Sequence, residues 1–210
     1  MYADTFKYKI KILGIPVADC IINYSDTTLN NIESIKMKYE VSSNRFIDKL
    51  FKIDNHYEII IDKKNFNTLS YIKNTYQPNV VNTIKTSYDG INVKYNDSNI
   101  LINKGDKNIF TVLYLIQNKK NNILENIDFL EREGKYYNLN YKKLDQYRLE
   151  LLISELDSTD FGVIKDTDIF LWGLFLDNSQ NTIILDRVSG NIEKCIFKKG
   201  FTTITAKFVE

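Results

Sequence analysis

Apolar and polar residues alternate along most of the chain, and turn-forming residues interrupt the alternation at intervals of about 8–12 positions. The clearest example is residues 5–13, where Phe6, Tyr8, Ile10 and Ile12 alternate with lysines. Successive side chains of a β-strand point to opposite faces, so such a segment packs one face on a core and leaves the other in water. The pattern predicts an antiparallel sheet.

The same alternation predicts strands in both halves of the chain. Asp89-Gly90 is the strongest two-residue hairpin signal between them. Because no repeat and no Pro-, Gly- or Ser-rich linker interrupts the pattern, we expect a single β-rich domain over residues 1–210. The predicted strands span residues 5–13, 17–24, 35–41, 57–62, 68–76, 80–88, 91–95, 99–103, 127–133, 135–143, 147–156, 168–176, 182–188, 192–197 and 202–209.

Two segments have helical spacing of apolar residues. Asn44 can cap a short helix that reaches residue 51, and Asp106 can cap a longer one over residues 108–118. The apolar stripe of the longer segment is wide, so most of its surface should be covered. Its Ile, Val, Thr and Phe residues also favour strands, and its period therefore fits either structure.

Residues 168–176 read Asp-Ile-Phe-Leu-Trp-Gly-Leu-Phe-Leu, which as a strand is apolar on both faces. Both faces must then be covered, and a helix over residues 108–118 lying in the hollow of a curled sheet would cover one of them. Gly173 in mid-strand fits a bend or a close approach. We therefore predict a mainly β fold: a single highly curled antiparallel sheet, a half-barrel or open barrel, with one or two short helices, one packed in its concave face.

The near-neutral charge argues against a dedicated nucleic-acid binder. The 210 residues carry a net charge of 28 − 27 = +1, without the basic excess that phosphates require. Lysines such as Lys7, Lys9 and Lys11 lie on the strand face opposite the aromatic residues, whereas a single-strand binding platform needs both on one surface. We expect a solvated outer face and no nucleic-acid partner.

Few residues are available for metal or nucleophilic chemistry. One His and two Cys exclude multi-His and Cys₄ metal sites, and the eight glycines form no nucleotide-binding motif. His56, in a turn before a strand, is expected at the surface. Acids at Asp157, Asp160, Asp166 and Asp168 lack EF-hand spacing. No metal and no cofactor is predicted.

A carboxylate-based hydrolase is the one enzyme class that stays open. Pairs such as Glu150 with Glu155, or Asp166 with Asp168, have suitable chemistry. Among 27 acidic residues, however, such pairs arise by chance, and nothing marks these as convergent. The protein is therefore predicted not to be an enzyme.

The two cysteines lie at opposite ends of the chain. The alternation places Cys20 on an inward face and Cys195 on an outward face with Asn191 and Glu193. Opposite faces make a disulfide awkward, although pairing in an oxidising compartment stays open.

The opening and closing segments resemble a family of exported bacterial proteins of unknown function. These segments are residues 6–18 (Phe-Lys-Tyr-Lys-Ile-Lys-Ile-Leu-Gly-Ile-Pro-Val-Ala), 174–177 (Leu-Phe-Leu-Asp), 182–185 (Thr-Ile-Ile-Leu) and 189–192 (Ser-Gly-Asn-Ile). An Asp-headed helical segment in mid-chain, here residues 106–117, is also similar. The family has a curled antiparallel sheet, distantly similar to the lipoprotein-carrier half-barrels that hold acyl chains in a hollow.

The resemblance implies an exported, periplasmic location and assigns no catalytic residues. Residues 1–4 show neither the basic nor the apolar part of a signal peptide, so the expectation of export rests on the resemblance. No run of 18 or more apolar residues occurs, and no transmembrane helix is expected.

Two functional hypotheses follow. The first is a non-enzymatic exported protein that binds an apolar small molecule or lipid-like ligand in its concave face, with Phe170, Trp172, Leu174 and Tyr114 as candidate lining residues. The alternative is a structural or protein-interaction module of the cell envelope without a cavity. An apolar cavity of ~300 Å³ or more favours ligand binding. A filled hollow with an exposed apolar patch favours the module.

Overall fold

The computed structural model describes residues 4–103, 105–156, 163, 168–175 and 179–209. Helical segments among them are the 3₁₀ turn Ile47–Lys49, α1 (Ile109–Gln117), α2 (Asn121–Leu124) and α3 (Ile169–Leu174). The strands are β1 (Asp4–Ile12), β2 (Ile15–Leu29), β3 (Ile32–Ser43), β4 (Asp54–Asp62), β5 (Thr68–Gln77), β6 (Val80–Tyr88), β7 (Val93–Tyr95), β8 (Leu101–Ile102), β9 (Phe129–Arg132), β10 (Lys135–Lys143), β11 (Arg148–Glu155), β12 (Ser179–Leu185), β13 (Ile192–Lys199) and β14 (Thr202–Phe208).

These strands form one antiparallel sheet in the order β8-β7-β6-β5-β4-β3-β2-β1-β14-β13-β12-β11-β10-β9. The first and last strands of the chain pair at its centre, with Ile10 opposite Ala206. The two edges approach each other through Lys107, which forms a bridge with Leu130 and accepts a backbone hydrogen bond from Glu131. The sheet is therefore nearly closed into a barrel, and the predicted fold class is confirmed.

The period-2 alternation explains how the sheet curls around a core. On β1, Tyr8 and Ile10 are buried while Lys7, Lys9 and Lys11 are exposed. Burial of the apolar face drives the strands to wrap a common interior, and the charged outer face stays in water.

α1 fills the middle of the barrel, as the helical period of its sequence predicts. Every residue of α1 except Tyr114 is buried. Its cap is Asn108, whose side chain accepts a hydrogen bond from the Thr111 backbone N–H, and not the predicted Asp106. The Asp106 carboxylate instead accepts a hydrogen bond from the Tyr136 hydroxyl.

The predicted strand over residues 168–176 is wrong, because Ile169–Leu174 is helical. The Asp168 side chain accepts hydrogen bonds from the backbone N–H groups of Phe170 and Leu171, which is the geometry of an N-cap. A short apolar run does not distinguish a buried strand from a buried helix. The Asp168 cap selects the helix here. Residue 176, the last of the predicted strand, lies outside the described residues.

The predicted turn of helix after Asn44 forms as a shorter 3₁₀ turn. The Asn44 side chain accepts from the backbone N–H groups of Phe46 and Ile47. Ile47 is half-buried, whereas Phe46 and Leu50 project into solvent. His56 is exposed as predicted, but it lies on β4 and contacts Asp54.

Cys195 is buried, in contrast to its predicted outward position. The register between β12 and β13 shifts at Ile184/Leu185, so Ile192 and Cys195 both face the core although three positions separate them. An extra residue at a bulge reverses the alternation of side chains beyond it. Both Cys20 and Cys195 are free thiols.

Candidate functional site

An apolar cavity of about 240 Å³ lies at one end of the barrel. Its walls come from β1, β2, β3, β13 and β14, from α3, and from the loop at residues 44–53. All of the lining side chains among the described residues are apolar. They include Ile10, Val17, Val41, Phe51, Phe170 and Leu174.

α3 supplies the inner wall of the cavity. Phe170 and Leu174 are four residues apart, which places both on one face of a helix. Gly173 also lines the cavity, and a Cβ atom there would lie 3.0 Å from Cδ1 of Ile204. The missing side chain at residue 173 therefore lets α3 approach β14 closely.

A second cavity, of about 50 Å³, extends the hollow towards α1. Phe170 and Leu174 line this cavity too, together with both cysteines. At its edge, the Gln117 side chain accepts a hydrogen bond from the Ile192 backbone N–H. The two cavities thus share one wall.

The structure brings two of the four candidate lining residues to the cavity. Phe170 and Leu174 line it, whereas Trp172 is 44% exposed. In a strand, residues 170, 172 and 174 would share a face; in a helix, residue 172 points away from the other two. Tyr114 packs against Tyr24, with ring centroids 5.0 Å apart. Contact of these residues with a ligand stays a prediction.

The loop at residues 44–53 is the wall that sequence reasoning did not assign to the site. Ile47, Phe51 and Ile53 line the cavity from this loop. The helical spacing of its apolar residues could have indicated this wall, since an amphipathic turn packs its apolar side against the rest of the protein.

A buried charged cluster lies elsewhere in the barrel, and the sequence did not reveal it. Lys73 is fully buried on β5, with its Nζ 2.6 Å from Oε1 of Glu133 and 2.9 Å from Oδ2 of Asp168. The Tyr57 hydroxyl donates to Oδ1 of Asp168 over 2.6 Å. A buried charge needs such partners to offset its loss of hydration.

Two of the acids in this region lie close together in sequence, Glu131 on β9 and Glu133 in the turn between β9 and β10. Glu133 has a positive φ of 53° and a buried carboxylate, and burial raises its pKa. Burial raises the pKa of Glu131 to about 7, against hydrogen bonds from Gly134 N–H and the Tyr95 hydroxyl that favour the charged form. The space beside these carboxylates is about 10 Å³, enough for roughly one water molecule.

This arrangement has the features of an internal ion-pair cluster. Glu133 and Asp168 converge on Lys73 inside the core. They do not line an open cleft in which a substrate could reach them. Of the predicted acid pairs, Glu155 forms an exposed ion pair with Lys135. Glu150 accepts a hydrogen bond from Gln180. Asp157, Asp160 and Asp166 lie outside the described residues.

Within the described ranges, no group of three or more His, Cys, Asp or Glu side chains is placed to hold a metal ion. The same part of the chain contains no helix that is both long and apolar enough to cross a membrane.

No family model matches the chain, and no curated protein matches it. Among solved structures, it is similar to the crystal structure of a β-barrel-like protein of a domain of unknown function, DUF1849, from Brucella abortus. The TM-score is 0.47 at 8% sequence identity, over 98% of this chain and 95% of that chain. The predicted similarity to lipoprotein carriers stays a prediction.

Proposed function

We propose that this protein is a non-enzymatic binder of a single acyl chain or a comparable apolar molecule, held in the 240 Å³ cavity. The observation that carries the proposal is the apolar lining, to which the described part of the chain contributes no polar side chain. Water in such a cavity finds no hydrogen-bond partner, and an empty cavity loses dispersion contacts along its walls. An apolar ligand supplies those contacts.

The volume sets the size of the ligand. At the ~30 Å³ that one water molecule occupies in the liquid, the cavity corresponds to about eight methylene-sized groups. This is below the ~300 Å³ at which pockets for drug-sized molecules begin. We therefore propose one medium-length chain and not a lipid with several chains.

The cavity is smaller than the ~300 Å³ that by volume alone favours ligand binding, so the preference over an interaction module without a cavity rests on its apolar lining. In such a module, α1 and α3 would occupy the whole interior. Here α1 fills the middle of the barrel, but the side chains of α3, of the neighbouring strands and of the loop at residues 44–53 leave the 240 Å³ cavity between them.

An exported, periplasmic location is part of the proposal. Its support is the resemblance of the opening and closing segments to exported bacterial proteins. Fractionation of the native cells tests it: recovery of the protein with cytoplasmic markers would contradict export.

A pair of variants on β14 tests ligand binding. Ala206 lines the cavity, and its neighbour Thr205 points to the other face of the strand. Ala206→Leu is expected to fill the cavity and reduce decanoate binding, measured by calorimetry, by about tenfold or more. Thr205→Leu should bind decanoate as the parent does. Absence of decanoate binding by the parent protein, or equal binding by both variants, would refute the proposal.

A further inference from the structure

Five exposed apolar residues cluster on three neighbouring turns and at the start of β2, at the end of the barrel that holds the cavity. The turns connect β1 to β2, β3 to β4 and β13 to β14. We call this group the apolar rim, and it consists of Leu13, Ile15, Phe46, Leu50 and Phe201.

Hydrogen bonds hold the three turns together. The Leu13 backbone N–H donates to the carbonyl of Thr203, next to the β13–β14 turn. The Asn44 backbone N–H donates to Val17, and its side-chain amide donates to Pro16, which ties the β3–β4 loop to the start of β2. The apolar rim is therefore one surface around the cavity and not a set of scattered side chains.

The exposure of the apolar rim is unusually complete. Phe201 is 101% exposed and Phe46 is 79% exposed, so neither contributes to the core. Contiguous exposed apolar side chains of this size mark an interaction site in a folded protein.

Cations surround the apolar rim. The loop at residues 44–53 carries three basic residues and one acid, Asp48, which accepts a hydrogen bond from Ser43. Lys11 and Lys199 are exposed on the adjoining strands. Within the described part of the chain, these two lysines, Arg45, Lys49 and Lys52 form no ion pair. Lys52 lies over the ring of Tyr76, 5.4 Å from its centroid, and the other four are free to meet an external negative charge.

We propose that the apolar rim docks on a membrane surface that contains anionic lipids. The apolar side chains enter the boundary between headgroups and acyl chains, and the surrounding cations contact the lipid phosphates. Apolar insertion combined with basic contacts is the combination that gives stable binding to an anionic bilayer. The inference rests on the proposed function in one respect, because docking places the mouth of the acyl-chain cavity next to the acyl layer.

Co-sedimentation with vesicles tests the docking. Wild-type protein should bind vesicles of phosphatidylcholine with phosphatidylglycerol more tightly than vesicles of phosphatidylcholine alone. Phe46→Ser and Phe201→Ser should each lower the partition coefficient by about tenfold, since each removes a phenyl group that docking transfers from water into the bilayer. Lys49→Gln and Lys199→Gln should each lower binding to the anionic vesicles by about fivefold.

Val188 supplies the matched control. It is 97% exposed in the turn between β12 and β13, at the opposite end of the barrel. Val188→Ser should leave vesicle binding unchanged. Equal losses for Val188→Ser and Phe201→Ser would overturn the proposal, as would failure of the wild-type protein to bind anionic vesicles.

Two further outcomes identify a different occupant and also overturn the proposal. One is a dimer in sedimentation velocity that Phe201→Ser abolishes, with no vesicle binding. The other is a protein partner captured by cross-linking at the apolar rim, again with no vesicle binding.

Failure of docking is distinguishable from failure of the proposed function. Decanoate binding measured without vesicles reports the cavity alone, and the variants of the apolar rim should retain it. Decanoate binding without vesicle binding refutes the docking. Vesicle binding without decanoate binding refutes the proposed ligand and leaves a membrane-docking protein.

Discussion

Nζ of Lys73 lies 2.6 Å from Oε1 of Glu133, although 60 residues separate them and both are buried. Lys73 belongs to β5, and Glu133 belongs to the turn between β9 and β10. The contact therefore joins strands from opposite halves of the sheet. Asp168 adds α3 to the same cluster, because it contacts Lys73 and caps that helix. One lysine thus connects three parts of the chain that are distant in sequence.

Replacement of this lysine should destabilise the fold strongly. Lys73→Met leaves the carboxylates of Glu133 and Asp168 buried without their cation, and we expect a loss of about 3–5 kcal/mol in the free energy of unfolding. Urea unfolding of the two proteins measures this difference in free energy. Lys38→Met is the control, because Lys38 lies on the outer face 3.7 Å from Glu58 and should cost about 0.5 kcal/mol or less. Similar losses for the two variants would contradict an ion-pair role of Lys73.

If Lys73→Met fails to fold, the milder variant Glu133→Gln tests the interaction between Lys73 and Glu133. Glu133→Gln keeps the shape of the side chain and removes one charge from the cluster. It should destabilise the protein when Lys73 is present and partly rescue Lys73→Met. Additive effects of the two substitutions would show that the two residues do not interact.

The raised pKa of Glu131 predicts that stability depends on pH. The carboxyl binds a proton more tightly in the folded state, where its pKa is about 7, than in the unfolded state, where it is 4.5. Its contribution is therefore fully present below pH 4.5 and is lost as the pH rises through about 7. Wild-type stability relative to Glu131→Gln should fall by about 3 kcal/mol over this interval. Parallel stability curves for the two proteins would show that Glu131 ionises normally.

Gly173 offers a stabilising substitution. Alanine favours the helical conformation by roughly 0.5–1 kcal/mol over glycine. The atom its Cβ would meet is the flexible end of Ile204, which lines the cavity and has space to move into it. We expect Gly173→Ala to raise the free energy of unfolding by about 0.5 kcal/mol and to weaken decanoate binding. A destabilised variant would show that Ile204 cannot move.

Both thiols should be inert in the folded protein. Burial raises the pKa of Cys195 to about 12 and that of Cys20 well above its usual value. A rise of about three units lowers the thiolate fraction of Cys195 about a thousandfold. Ellman's reagent should therefore react slowly with the native protein and promptly with two thiols in urea. Rapid reaction of the native protein would contradict the burial, and no reaction in urea would reveal a disulfide.

The local alternation of apolar and polar residues was sufficient to predict most of the strands of the sheet. Residues 80–88 and 135–143 form strands with the predicted bounds, because alternation and turn residues act over a few positions. Cys195 and α3 departed from prediction for local reasons that the pattern does not contain. A bulge reversed the faces on β13, and the Asp168 cap selected a helix.

The sequence by itself determined that this chain forms a curled antiparallel sheet, since the period of its apolar residues specifies which side chains leave water. Tertiary structure alone decided where Lys73, Glu133 and Asp168 meet, and that Phe170 and Phe51 face one cavity beneath an apolar rim. Those relationships depend on strand order and closure of the barrel, which bring together residues that have no periodic relation along the chain.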